Sequence, residues 1–148
     1  MSKPSSFTQY CDDVRREADG RPSLMGIYPN NAIVDLDGNN KLPKVCAYTV
    51  LSLPLREKLT SIAVASTWNN KEIGRVEIPD QVIEDFNKKL EGDPNKNQQL
   101  TLATIIEIRD LEIGDGGTLK TQVLVNDDQV EVRSLRLNPR RDDTQPDE

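Results

Sequence analysis

Leu100, Leu102, Thr104, Ile106 and Ile108 recur at every second position of one stretch. A period of two lines one face of a strand, whereas a helix would return its apolar residues every three or four positions. Leu119, Thr121, Val123 and Val125 repeat the pattern against Lys120 and Gln122, and Ile62, Val64, Ser66 and Trp68 share a face in the stretch from Leu59. A long run from Pro43 to Leu53, rich in Val, Tyr and Thr, ends at Pro54, where a missing N–H marks a strand end.

The turns agree with this reading. Asn69-Asn70 joins the strand ending at Trp68 to one running from Lys71 to Ile78, and Asn126 to Asp128 returns the chain through Val130 and Val132. Leu135 and Leu137 then fall on the other parity, which predicts a bulge near Arg133-Ser134. Gly114-Asp115-Gly116-Gly117 reads as a hairpin loop. Pro29-Asn30-Asn31 and Asp37-Gly38-Asn39-Asn40 bracket a short extended piece from Ala32 to Leu36. One helix stands out, from Pro79 or Asp80 to Leu90, with Val82, Ile83, Phe86 and Leu90 in one stripe, acids early and lysines late. Its expected use is to cover an open end of its own domain.

Near the N-terminus Phe7, Tyr10, Cys11 and Val14 also fit helical spacing, but the β-forming start, the Asp19-Gly20 turn and the return run SLMGIY favour a hairpin from Tyr10 to Tyr28. The sum is seven or eight short strands with one linking helix, and therefore a mainly β, antiparallel sandwich. At 148 residues the chain has the length of one domain. We assign it to residues 7–137, with 1–6 and 138–148 as flexible tails, the latter because NPRRDDTQPDE has no apolar side chain with which to dock.

Composition narrows the function more by exclusion. The formal charge is −6, from 25 acidic and 19 basic residues, and the pairs Lys88-Lys89 and Arg140-Arg141 have acidic neighbours, so no nucleic-acid face is expected. The N-terminal MSKPSSFTQYCDD has no apolar core of a signal peptide and no run suits a membrane span, which predicts a cytoplasmic protein. Cys11 and Cys46 read as two buried thiols rather than a disulfide framework.

The chain has no histidine, which removes Ser-His-Asp and Cys-His nucleophilic machinery and His-ligated zinc. It has no phosphate-cradling glycine motif. Six aromatic residues are few for a sugar cleft worked by paired carboxylates. Asp35, Asp37, Asp115, Asp127 and Asp128 sit in predicted turns, where convergence on calcium competes with the ordinary preference of Asp for turns. Trp68 reads as a core or turn-flanking residue before an interface anchor. No catalytic, cofactor-binding or metal residue is assigned.

The residues Asp12 or Asp13, the turn Asp19-Gly20-Arg21, and the strand end Leu24-Met25-Gly26-Ile27 resemble the N-terminal hairpin of an uncharacterised family of small bacterial and phage proteins. The resemblance covers about the first half of the chain. It implies an immunoglobulin-like β-sandwich and carries no catalytic residues. The expectation is a non-enzymatic protein-interaction module of bacterial or phage origin, such as a phage-encoded modulator of a host complex, acting on a protein partner or as a homo-oligomer. The alternative is a metal- or small-ligand-binding sandwich that uses loop carboxylates.

The adjacent acids pose a structural question. Neighbouring strand residues face opposite ways, so either Asp12 or Asp13 is expected to point inward, held by backbone N–H groups or by Arg15 or Arg16.

Overall fold

Nine strands and one helix form along the residues that the computed structural model describes, 4–54, 58–92 and 99–141. They are β1 (Ser5–Arg16), β2 (Pro22–Ile27), β3 (Asn31–Val34), β4 (Lys41–Pro54), β5 (Ile62–Trp68), β6 (Lys71–Glu77), α1 (Asp80–Glu91), β7 (Gln99–Glu112), β8 (Gly117–Val125) and β9 (Asp128–Pro139). Two sheets result, of order β2-β1-β4-β7 and β3-β9-β8-β5-β6, in a sandwich-like arrangement.

Alternation builds the layer between the sheets. Tyr10, Ala47 and Ile106 stand in one cross-strand row of the four-stranded sheet and are buried, together with Val64, Leu119 and Leu135 of the other sheet. Thr8, Thr49 and Thr104 form the next inward row, and the Thr8 and Thr49 hydroxyls bond each other at 2.8 Å. The sheets are also joined by a hydrogen bond. Tyr10 Oη donates toward Thr121 Oγ1 at 2.9 Å and the Arg133 carbonyl at 3.0 Å, and Thr121 shares a 2.8 Å bond with Ser66. Burial pushes the Tyr10 phenol up to about 12, so it remains a donor.

The helix lies where its stripe predicts, with Ile83 and Leu90 buried and Phe86 partly so. The Asn87 side-chain amide fixes it to the loop before β5, accepting from the Leu59 N–H at 2.9 Å and donating to the Leu59 carbonyl at 2.8 Å. The two Asn-rich turns take φ > 0 at both central residues, Asn69 and Asn70 in one, Asn126 and Asp127 in the other. Such turns twist with the strands they join.

Several expectations need correction. Asn31–Val34 is a full strand, which raises the count to nine, and it pairs with β9 in parallel, so the molecule is not wholly antiparallel. The loop Gly114 to Gly117 is no hairpin, because β7 and β8 belong to different sheets and the loop is a corner between them. Its Gly116, at φ +115, is pressed so close to β9 that a β-carbon would stand 2.8 Å from Asn138 Oδ1.

The bulge of β9 lies at Val130, opposite Val123 and Leu124, and not at Arg133-Ser134. Val130 is itself the extra residue, so Val132 turns outward and Leu135 and Leu137 keep the inward phase with no irregularity at Arg133-Ser134. Of the expected tails 1–6 and 138–148, residues 1–3 and 142–148 lie outside the described residues, and the inner ends are in strands. Ser5 and Ser6 pair with β4, while Asn138 and Pro139 pair with β3. Ladder hydrogen bonds come from the backbone and need no apolar side chain.

Candidate functional site

The hairpin of β1 and β2 turns at Asp19-Gly20, with Gly20 at φ +90 and the Asp19 carboxylate accepting from the Arg21 N–H at 3.0 Å. Farther up, Gly26 stands at φ +68, and a β-carbon there would collide with Asp12 Oδ2. Only glycine combines that backbone with that space. The Asp12 carboxylate therefore lies across β2, where Tyr28 Oη donates to its Oδ1 at 2.5 Å. Burial, then the Asp12 carboxylate, drives the Tyr28 phenol well above its ordinary range, which keeps it a donor and removes it as a base.

Neither acid is fully buried, and neither is held by Arg15 or Arg16, contrary to the expectation of one inward carboxylate held by backbone N–H groups or an arginine. Asp12 is exposed on Tyr28, and Asp13 is half-buried against Lys44 Nζ at 2.5 Å. Arg16 bonds the Gly20 carbonyl instead of either acid. Lys44 also meets Glu107 at 3.0 Å, and Glu107 meets Arg109 at 2.7 Å. The hydrogen bond to Lys44 holds both the Asp13 and the Glu107 carboxyls below the usual range, and the same bonds raise Lys44.

These charges border the outer face of the four-stranded sheet. Its rows, read across the strands, are Phe7, Val50 and Ala103, then Gln9, Tyr48 and Ile105, then Ile27, Cys11, Cys46 and Glu107. Phe7 is 49% exposed, Ile27 54% and Ile105 39%, and Met25, opposite Asp13, is also exposed. The Arg133 guanidinium lies 5.3 Å from the Phe7 ring centroid. Cys11 and Cys46 are direct cross-strand neighbours, both buried free thiols. Burial pushes Cys11 up to about 11 and raises Cys46 too, so both are poor nucleophiles.

A groove of about 430 Å³ opens beside β3, lined by Asp12, Tyr28, Ile33, Val34, Asp35, Leu42, Pro43 and Lys44. A second, of about 550 Å³, lies on the other side of Ile33 and is lined by Asn31, Asn138, Pro139, Arg140 and Arg141. Asp35 and Arg140 bridge the rims at 2.6 Å.

The turn carboxylates do not converge. Asp37 closes its own turn, accepting from the N–H groups of Asn39 at 2.8 Å and Lys41 at 3.0 Å, and Asp35 pairs with Arg140. Among the described residues no three His, Cys, Asp or Glu side chains are grouped to hold a metal ion. The basic pairs are separate as well, since Lys89 lies over Phe86 on α1 while Arg140 is tied to Asp35. Trp68 is partly buried beside its turn, against Gly117.

Ile33, Tyr28 and Lys44 were not singled out from the sequence, nor were Ile27 and Ile105 as exposed residues. The available signal was phase. Ile105 beside Ile106 in a period-two strand requires one of them to face outward. No helix among the described residues is long and apolar enough to cross a membrane. A scan against protein-family models and a search of curated proteins each find no match to this chain.

Proposed function

We propose that this chain is a non-enzymatic protein-interaction module whose contact surface is the outer face of the four-stranded sheet. The observation that carries the reading is the gathering of exposed Phe7, Ile27 and Ile105 on one face, with Met25 at its border. Clustered exposed apolar residues mark contact sites, whereas scattered ones need no explanation.

The partner we commit to is a second copy of the chain. The border charges Asp13, Lys44, Glu107 and Arg109 pair among themselves and sum to zero, so two such faces meet without the repulsion expected from a chain of formal charge −6. The rows span roughly 14 Å along the strands and roughly 14 Å across them at ordinary strand spacing, which is small for a specific interface and fits a weak, reversible dimer. A cytoplasmic setting, bacterial or phage origin and an immunoglobulin-like ancestry belong to the same proposal, supported by the hairpin motif and the two-sheet architecture.

Light scattering across concentration tests it. The wild-type chain is expected to gain mass toward a dimer at high concentration, and Ile105→Lys to stay monomeric. A chain that remains monomeric throughout overturns the self-association reading. Against the metal-binding alternative, Asp37 is held by its own loop and Asp35 by Arg140, and among the described residues no three His, Cys, Asp or Glu side chains are grouped to hold an ion.

A further inference from the structure

The parallel ladder between β3 and β9 fixes which way the backbone of β3 points. The Arg136 N–H donates to the Asn30 carbonyl at 3.0 Å and the Arg140 N–H to the Val34 carbonyl at 2.8 Å. In a parallel pair the bonding residues alternate, so Ala32 and Val34 turn their backbone groups to β9. Asn31 and Ile33 turn theirs outward. Among the described residues strand β3 is the last strand of its sheet, and of its two outward residues Ile33 lines the groove at Asp12 as well as the second groove, which Asn31 also lines.

Ile33 marks this edge in a second way. Its side chain is 62% exposed and separates the two grooves. The Asp12 groove has an apolar floor of Val34 and Leu42, and its volume of about 430 Å³ is enough for a few side chains. Its charge is one-sided: Lys44 is matched by Asp13 and Glu107, and Arg140 by Asp35, whereas Asp12 has a hydroxyl and, among the described residues, no cation.

We propose that the free edge of β3 takes an extended peptide segment by strand addition, with a basic side chain of that segment seated against Asp12. Backbone bonds to Asn31 and Ile33 supply the pairing, and alternate side chains drop into the groove or pass over Ile33. The surface is distinct from the sheet face, so self-association can fail while this edge binds, and the reverse.

The probe is a capped, fluorescent eight-residue peptide of alternating Val and Lys, measured by polarisation at about 0.15 M salt to screen the nonspecific pull of the acidic chain. Its controls are the alternating Val and Glu peptide and the Val and Lys peptide N-methylated along its backbone. The expected result is binding of the Val and Lys peptide that weakens about tenfold or more on N-methylation, on Asp12→Asn and on Ile33→Pro, which removes an edge N–H. No binding of that peptide, equal binding of its methylated form, or an unchanged affinity in Asp12→Asn overturns the proposal. The methylated peptide needs no variant, so the test stands even if Ile33→Pro does not fold.

Discussion

The carboxylate of Asp12 occupies the space over Gly26 that a β-carbon would need, and Gly26 itself stands at φ +68. Two separate penalties follow for Gly26→Ala, a left-handed backbone and a collision. The variant is expected to lose about 1–3 kcal/mol in urea unfolding. Combining it with Asp12→Ala removes the collision and leaves the backbone penalty of about 1 kcal/mol, so the two changes are non-additive. Strict additivity would mean that the two residues do not share the space.

Tyr10 ties the sheets together through Thr121 and the Arg133 carbonyl. Tyr10→Phe keeps the packed ring and deletes the donor, at an expected cost of about 1–2 kcal/mol. Thr121 keeps Ser66 as a partner, so the loss falls mainly on the Arg133 carbonyl. Chemical denaturation checks the size, and a neutral result would contradict the role given to this bond.

Lys44 gives the chain a stability that is bounded at both ends of the pH scale. Asp13 and Glu107 titrate lower when folded, so their contribution is present above the unfolded carboxylate range and is lost as pH falls through the lowered values. Lys44 titrates higher when folded, so its contribution is complete below about pH 10 and disappears as pH rises through the raised value. The difference in urea midpoint between wild type and Lys44→Met is expected to be flat from about pH 5 to 10 and to shrink on either side. Added salt should reduce it, because these groups are solvent-facing.

Cys11 is protected by both burial and chemistry. At pH 8 a thiol pushed up to about 11 is ionised in about one molecule in a thousand, against about a quarter for a free thiol near 8.5. Native protein should therefore react with iodoacetamide at least about a hundredfold more slowly than protein unfolded in urea. Rapid native labelling would place the thiols at the surface.

Much of this architecture was legible from period and turn chemistry. The alternation from Leu100 to Ile108 marked the inward face of β7, and Asn69-Asn70 and Asn126 to Asp128 marked turns that need φ > 0. What stayed hidden depended on pairing partners. Nothing local distinguishes a hairpin from a corner at Gly114 to Gly117, and nothing in Asn31–Val34 declares a parallel neighbour a hundred residues away. The acidic pair was visible, but its partners Tyr28 and Lys44 come from other strands, so alternation alone suggested a burial that these neighbours make unnecessary. The exposed face was half legible, because Ile105 breaks phase with Ile106 while Ile27 shows its exposure only once β2 is seen to lie at the sheet edge.

The claim that the outer sheet face joins two copies is tested most directly by sedimentation equilibrium on the wild-type chain, the double variant Ile27→Lys/Ile105→Lys, and Val132→Lys. Val132 is as exposed as Ile105 but lies on the other sheet, so it controls for a lysine placed at an exposed strand position away from the proposed face. A monomer–dimer equilibrium is expected for wild type and Val132→Lys, weakened about tenfold or more in the double variant. Wild-type protein that sediments as a monomer at every concentration, or a double variant that dimerises as tightly as wild type, would contradict it.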